Sequence, residues 1–275
     1  MQRKKKKHFI IISMISKALI SRIRLLHHKK HRDEQNLFIV EGVKSCLETL
    51  HSKLEVVQCF VTERFDKFDG GFSLSQAGSL DDGSSLRLTV ISEKEMERIS
   101  CLKTAPEILC VVKKQQYDIS NLDDEKPLLV LDSIHDPGNL GSIIRTADWF
   151  GFSQILCSDE CVEYTNPKVI QATMGSFLRV KIVYTTLSDY LKTQSNRNIY
   201  GLYMKGEPIH KQSFKFNDIV LIGSESHGIS ENITSFVKTK IEIPLFPHED
   251  STPESLNASI AVAIFMYSYR ELVNF

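Results

Sequence analysis

The chain has 275 residues, of which 42% are hydrophobic and 25% charged, and its 34 Lys and Arg side chains balance 34 Asp and Glu side chains. This composition is typical of a soluble globular protein with one large or two ordinary domains. No run reaches the roughly 18 apolar residues of a membrane-spanning helix, which excludes a helical membrane protein, and the zero net charge says nothing about partners.

The amino-terminal segment is strongly basic, since residues 1–32 contain eleven Lys and Arg and no Asp or Glu. Such a block either forms a solvated tail or binds a polyanion such as nucleic acid. The apolar run 9–16 is too short for a signal peptide, Lys17 interrupts it, and no small-residue cleavage site follows. Met14 is an alternative start, which would make residues 1–13 a disordered extension.

The first part of the chain predicts a small α/β unit. Apolar residues at helical spacing, separated by basic ones, predict an amphipathic helix; they are Ile15, Leu19, Ile23 and Leu26. A strand over 38–40, a helix over 43–50 and a strand over 55–63 follow. After a loop-rich stretch, 66–85, come a strand over 86–92 and a helix. The pair Ser92 and Glu95 predicts a capping box at the start of that helix.

Residues 115–126 are polar, acidic and without periodicity, which predicts a linker between domains 14–114 and 127–275. Beyond it, short apolar strands alternate with helices. This alternation predicts an α/β domain with a parallel sheet covered by helices on both faces.

Six scattered cysteines form no Cys-x-x-Cys pair, and several lie in apolar runs, which is typical of buried free thiols. Four well-placed zinc ligands cannot be assembled. We therefore expect a reduced, cytoplasmic protein without a metal site.

Three turns that follow predicted strands carry more polar residues than plain connections need. The first turn has Asp136, Asn139 and, in the helix behind it, Arg145. Its glycines match neither the dinucleotide-binding pattern G-x-G-x-x-G nor the P-loop of nucleoside triphosphatases. Because ligands bind at the carboxyl ends of parallel strands, the turn is a candidate site. Ordinary Pro-Gly turn chemistry is the alternative.

The second turn carries Gly223 and Glu225, and the third carries Ser255 and Asn257 at the start of an apolar helix. An exposed loop acid would explain Glu225, and helix capping would explain one residue of the last pair. Capping does not readily explain both.

Together the turns, "LDSIHDPGNLGSIIRTADWFG", "LIGSESHGIS" and "IEIP…SLNASIAVAI", resemble in order and spacing the three motifs of the SpoU/TrmH family of RNA ribose 2′-O-methyltransferases, part of the SPOUT superfamily. The resemblance covers roughly residues 127–272. It implies S-adenosylmethionine as the methyl donor, an RNA ribose 2′-hydroxyl as the acceptor, a carboxyl-terminal trefoil knot and a homodimer.

The resemblance also assigns site residues by position. The five polar motif residues are implied to be catalytic: Asn139, Arg145, Glu225, Ser255 and Asn257. Three positions are implied to surround the adenosyl group: Gly223, Ile243 and Leu256. The loop over 245–254 departs from the family pattern, because it is longer, acidic and rich in proline.

The segment "LLHHKKHRDEQNLFIVEGVKSCLE" resembles the basic helix and F-x-x-E-G sequence of the substrate-binding domain that often precedes the family's catalytic domain. The implied RNA-binding residues are Arg24, Lys29, Lys30 and Arg32. The leading hypothesis is methylation of a ribose in structured RNA, with ribosomal RNA favoured over transfer RNA. The alternatives are a catalytically silent RNA-binding or assembly protein and an enzyme acting on a small nucleotide.

Overall fold

A computed structural model describes residues 11–12, 14–65, 88–246 and 255–273. The chain forms two compact units, one of Met1–Gln115 with Thr165–Gly175, the other of Gln116–Tyr164 with Ser176–Phe275. The predicted loop-rich stretch 66–85 and positions 247–254 of the predicted long loop lie outside the described residues. The structure thus places Thr165–Gly175 with the first unit, although the sequence analysis placed this segment in the second domain.

The first unit is built on a five-stranded sheet in the order β1-β4-β3-β5-β2, in which β5 runs antiparallel to both of its neighbours. Its strands are β1 Ile11–Ile12, β2 Leu37–Glu41, β3 Val56–Val61, β4 Leu88–Val90 and β5 Ile108–Lys113. Its helices, in the described part, are α1 Lys17–Leu25, α2 Lys29–Gln35, α3 Val43–Leu50, α4 Glu93–Ile99 and α6 Pro167–Thr173. The predicted capping box of α4 is present, with Ser92 and Glu95 bonded to each other's main chain.

The predicted amphipathic helix is α1, which starts at the N-cap Ser16 and buries Ile20 and Ile23. The chain breaks at the end of α1 and continues as the separate short helix α2. The apolar face of α1 joins the core of the sheet and α4, together with Met96 and Ile99.

The second unit contains a six-stranded sheet in the order β11-β9-β10-β6-β7-β8, and all of its strand pairs are parallel. Its strands are β6 Leu128–Leu131, β7 Gln154–Cys157, β8 Lys181–Tyr184, β9 Ile199–Pro208, β10 Ile219–Ile222 and β11 Thr239–Glu242. The central strands β6, β7 and β10 are buried on both faces, as expected when helices cover a parallel sheet. The predicted α/β architecture is confirmed.

In the part of the second unit that the structure describes, the α-helices are α5 Pro137–Trp149, α7 Leu187–Lys192, α8 Glu231–Thr234 and α9 Ala258–Leu272. One sheet face packs against α7 and α8 through Leu187, Tyr190 and Ile233. Helices α5 and α9 pack against each other. The rings of Phe265 and Tyr269 of α9 pack at steep angles against the ring of Phe152, which follows α5.

Residues 116–126 of the predicted linker belong to the second unit. Gln154 bonds to the main chain of Asp123, and Arg197, which is buried, binds the Asp124 carboxylate and the Lys126 carbonyl. These bonds fix the segment that leads into β6.

Within the described ranges, no helix is long and apolar enough to cross a membrane. All six cysteines are free, and all of them except Cys101 are buried.

Candidate active site

The site lies where parallel strands β6, β10 and β11 end, because the three motif turns all leave the same edge of the sheet. Strands β6 and β10 are direct neighbours, and β9 separates β10 from β11. Residues more than one hundred positions apart in sequence are therefore brought together.

The turn after β6 is held by a buried aspartate that the sequence analysis did not single out. Asp132 accepts a 2.7 Å hydrogen bond from the Ser230 amide and another from the Ser133 hydroxyl. Ser133 adopts a left-handed backbone with φ of 58°. Such a conformation is costly for a non-glycine residue, and the bonds around Asp132 offset that cost. The only sequence signal was a carboxylate directly after a buried strand.

A pair of thiols lies beneath the same turn. The Cys161 thiol accepts from the Ile134 amide and contacts the Leu131 carbonyl, both at 3.3 Å. A hydrogen bond with Cys157 lowers the pKa of Cys161 to about 7, against the opposing effect of burial. Through these two contacts Cys161 fixes the main chain just before the polar part of the turn.

Helix α5 begins directly after this turn. Asp136 is its N-cap and accepts a 2.8 Å hydrogen bond from the main-chain amide of Asn139, with Pro137 in the first turn of the helix. The helix start therefore explains Asp136 but leaves the side chain of Asn139 available for other contacts.

The turn after β10 is a tight hairpin in which Ser224 and Gly228 form an isolated antiparallel bridge. A Cβ atom on Gly223 would lie 2.0 Å from the main-chain carbon of Gly228, so only glycine fits there. Gly228 itself has a positive φ of 67°. The hairpin projects Glu225 from the sheet edge.

A chain of side-chain hydrogen bonds joins the three turns. Asn139 Nδ2 donates to Glu225 Oε1 at 2.5 Å, and Asn257 Nδ2 donates to Asn139 Oδ1 at 2.9 Å. Three of the five residues predicted to be catalytic are thus assembled into one network.

Asn257 also starts helix α9. Its side-chain oxygen accepts from the amides of Ser259 and Ile260, while the Ala258 amide donates to Glu225 Oε1 at 3.3 Å. The Glu225 carboxylate therefore lies at the positive end of a fifteen-residue helix, which stabilises its charge. Helix capping explains the hydrogen bonds of Asn257 Oδ1. The bond that Asn257 Nδ2 donates to Asn139 is explained only by the network.

Arg145 and Ser255 are not part of this network. Arg145 is exposed on α5 and makes no hydrogen bond or ion pair within the described ranges. The next acid on its helix, Asp148, is already bound by two nitrogens of Arg179. The Ser255 hydroxyl is also exposed and has no partner in the part of the chain that the structure describes.

The three residues predicted to bind the donor lie on the same loops, and two of these loops expose a leucine side chain. Leu256 is 43% exposed and Leu245 55% exposed, close in sequence to Ile243. The main-chain amide of Leu256 makes no hydrogen bond to any described residue. These loops thus offer apolar surface and unused main-chain groups.

The residues predicted to bind RNA have different environments. Arg24, Lys29 and Lys30 are exposed, and Lys30 is 3.9 Å from Glu34. Arg32 is only 2% exposed, and its Nη1 donates to the Leu26 carbonyl at 2.8 Å. Burial therefore argues against the predicted RNA contact of Arg32, whose guanidinium holds the end of α1 instead.

No group of three or more His, Cys, Asp or Glu side chains that could hold a metal ion is present among the residues that the structure describes.

Comparison with known proteins places the fold and the site in context. The model of the SpoU rRNA methylase family matches residues 126–267, which is more than half of the chain. The model of the MRM3-like substrate binding domain matches residues 17–110.

Individual relatives span nearly the whole chain. The 23S rRNA (guanosine(2553)-2′-O)-methyltransferase RlmP of Bacillus subtilis is 26% identical over 89% of this chain and 93% of its own. A TrmH-family protein structure from Porphyromonas gingivalis has a TM-score of 0.78 and 26% identity, covering 94% of this chain and 99% of that one. The AdoMet-bound rRNA methyltransferase of Sinorhizobium meliloti shares the fold, with a TM-score of 0.80 at 24% identity over 96% and 97% of the two chains.

Proposed function

Because the chain belongs to the SpoU rRNA methylase family, we propose that it methylates a ribose 2′-hydroxyl in structured RNA, with ribosomal RNA favoured over transfer RNA. Family membership confirms the resemblance found in the sequence and makes the chain an S-adenosylmethionine-dependent RNA methyltransferase. The choice of the ribose hydroxyl and of ribosomal RNA is supported by the name of the Bacillus subtilis relative.

The observation that carries the proposal is the hydrogen-bonded network of Asn139, Glu225 and Asn257 across three turns. Capping explains Asp136 and one atom of Asn257, but neither folding nor RNA binding requires the network to converge at the ligand-binding edge of the sheet. Such a converged, partly exposed polar cluster is typical of an active site.

The loops around Gly223, Ile243 and Leu256 fit the methyl donor. The adenine ring of the donor is flat, with apolar faces and polar edges, which suits the exposed leucine side chains and the unbonded Leu256 amide. The bound donor supplies an electrophilic methyl group on a sulfonium. The protein's task is then to align the ribose hydroxyl and to assist loss of its proton.

In this role Asn139 is a positioning residue. Its Nδ2 is bound to Glu225 and its oxygen to Asn257, so its orientation is fixed from both sides. Glu225 receives both of its bonds on Oε1, which leaves Oε2 available to a donor group of the substrate. The exposed Ser255 hydroxyl is a second such group at the same edge.

Arg145 is the cation of the proposed site. A guanidinium is always protonated and binds phosphate through two parallel hydrogen bonds, so Arg145 suits the phosphate beside the target ribose and the developing alkoxide. Its exposure, and the lack of a partner among the described residues, keep it available.

We also propose a homodimer, whose interface would use the exposed apolar side chains of α5 and α9. Ile260, Ile264 and Tyr267 follow one stripe of α9, and Tyr267 contacts Phe150, next to the 84% exposed Trp149. A second copy would cover this strip, and Ile264→Asp should then yield a monomer in analytical ultracentrifugation, while Lys192→Asp should not. The trefoil knot remains a prediction, and we propose that the protein acts in the cytoplasm.

The proposal is tested with labelled S-adenosylmethionine and total RNA from a strain that lacks this protein. A 2′-O-methyl group protects the adjacent phosphodiester, so the label should appear in alkali-resistant dinucleotides. Arg145→Ala should abolish the transfer, and Lys192→Ala, which removes an exposed cation from α7, should not. Label in mononucleotides would mean base methylation. RNA binding without any transfer would favour the silent RNA-binding protein.

A further inference from the structure

A groove of about 370 Å³ runs along the surface of the first unit. One wall is helix α1 and the turn behind it, and the other wall includes the end of helix α4. The lining residues are Lys17, Ile20, Ser21, Arg24, Leu25, His27, His28 and Arg98. The lining therefore contains cationic, hydroxyl and imidazole groups and no carboxylate.

The three cations of the groove are available to bind a ligand. Lys17, Arg24 and Arg98 are exposed, and none makes a hydrogen bond or ion pair with any residue that the structure describes. Glu95, three residues before Arg98 on α4, accepts hydrogen bonds from the amide of Ile15 and in the capping box, and it attracts Arg98 electrostatically without forming an ion pair with it. Positive charge is therefore concentrated in a concave surface, where it attracts anions most strongly.

The walls of the groove are held in place at both ends. At one end Glu95 Oε1 accepts from the Ile15 amide at 2.9 Å, and at the other His27 Nε2 lies 2.9 Å from the Ile99 carbonyl. Because a carbonyl only accepts, His27 must donate through Nε2. The apolar core under α1 and α4 supports both walls, so the cations are arranged before a ligand arrives.

The spacing of the cations indicates the kind of anion. Lys17, Ser21 and Arg24 follow one stripe of α1, and at 1.5 Å per residue Lys17 and Arg24 are about 10 Å apart along its axis. Lys17 and Arg24 can therefore contact different phosphates of one polynucleotide strand.

We propose that this groove binds the sugar-phosphate backbone of the RNA substrate, with Lys17, Arg24 and Arg98 on successive phosphates. The inference rests on the proposed function in that it takes RNA as the substrate. It gives Lys17 and Arg98 a role that the sequence did not predict, and it moves the centre of binding from α2 to the α1–α4 groove. His27 acts as a positioning residue, because its bond to Ile99 sets the distance between the walls.

The test compares two double variants that each remove two positive charges from the first unit. Arg24→Ala with Arg98→Ala alters the groove, and Lys44→Ala with Lys53→Ala alters exposed lysines elsewhere. Binding of a labelled RNA hairpin is measured without methyl donor over a range of salt concentrations. We expect roughly tenfold to hundredfold weaker binding for the groove variant, and a salt slope reduced by about 1.4–1.8, because two phosphate contacts are lost. The control should keep the wild-type slope.

The outcomes separate this inference from the proposed function. Binding lost equally in both double variants would show a diffuse effect of charge and overturn the groove. A polyglutamate peptide that binds as tightly as RNA, and depends equally on Arg24 and Arg98, would indicate an acidic protein partner instead. If inorganic phosphate at low concentration displaced the RNA completely, the groove would be a site for a small anion and the proposal of an RNA-backbone site would be wrong. Absence of methyl transfer with intact groove-dependent binding would refute the proposed function alone.

Folding is controlled within the same experiment. The groove cations are exposed and make no ion pair with a described residue, so both double variants should unfold at the wild-type urea midpoint. Arg24→Lys with Arg98→Lys keeps the charge and should restore most of the salt slope. If it fails to do so while the fold is intact, charge is not the basis of recognition and the proposal is wrong.

Discussion

The side chain of Asn139 donates a hydrogen bond to Glu225 across 86 positions of the sequence, from the first turn of α5 to the hairpin after β10. Asn257 completes the contact by donating to the Asn139 oxygen. Removing the Asn139 amide would therefore release both neighbours at once.

We predict that Asn139→Ala reduces methyl transfer about a hundredfold, because small displacements of aligned groups have effects of this size. The free energy of unfolding should fall by only about 1.5–3 kcal/mol, the usual contribution of a hydrogen bond to a charged group. Transfer of labelled methyl and urea unfolding measure the two effects. Activity near the wild-type level in a folded variant would contradict the role of the network.

Asn139→Asp is the matched variant, because it keeps the size of the side chain but sets a carboxylate against Glu225. The two like charges repel each other, so we expect this variant to be less active than wild type at neutral pH. The activity should recover in part as the pH falls and the pair takes up a proton. A pH profile parallel to that of the wild type would contradict this repulsion.

The sequence was sufficient to predict the second unit's sheet and the meeting of its polar turns. Strong alternation of apolar strands with helices predicts parallel strands, and parallel strands place their carboxyl ends at one edge. The convergence of Asn139, Glu225 and Asn257 on that edge therefore follows from the pattern of strands and turns alone.

Other features depend on contacts that leave no local pattern. Asp132 binds Ser230, 98 positions away, and nothing near either residue marks the bond. Arg32 looks like part of a basic surface stretch, but the chain breaks after α1 and turns this residue inward. The placement of Thr165–Gly175 in the first unit likewise follows from tertiary packing.

Gly223→Ala should disturb the site through the main chain. The added methyl would lie 2.0 Å from a main-chain atom of Gly228, so the bridge between Ser224 and Gly228 must open. We expect at least tenfold lower activity and a free energy of unfolding lower by about 1–3 kcal/mol, as for other overpacked sites. Ser226→Ala is the control in the same hairpin, because the Ser226 hydroxyl is hydrogen-bonded to the neighbouring His227 at the surface. Equal effects of both substitutions would contradict the steric argument.

Arg32→Ala should act on stability and not on RNA binding. The buried guanidinium bonds to the carbonyl of Leu26, and loss of a charged donor leaves that carbonyl without this bond. The free energy of unfolding should fall by roughly 2–3 kcal/mol. Lys30→Ala, on the exposed side of the same helix, should change it by less than about 0.5 kcal/mol. If folded Arg32→Ala protein bound the RNA hairpin much more weakly than wild type, Arg32 would contact RNA, as the sequence analysis predicted.

Glu41 should make the stability of the protein depend on pH. Burial raises the pKa of its carboxyl above the ordinary value of 4.5, although Ser100 and the Cys101 amide donate hydrogen bonds to it. The folded protein therefore holds this proton more tightly than the unfolded chain does. The resulting stabilisation is full below pH 4.5 and is lost as the pH rises through the folded-state pKa.

Urea unfolding of wild type and Glu41→Gln measures this effect. The free energy of unfolding of wild type minus that of the variant should decline as the pH rises from about 4.5 towards neutrality. His27, whose charge lowers the pKa of Glu41, provides the control: in a His27→Gln background the decline should move to higher pH. A difference that is constant or rises with pH would show that burial does not govern this carboxyl.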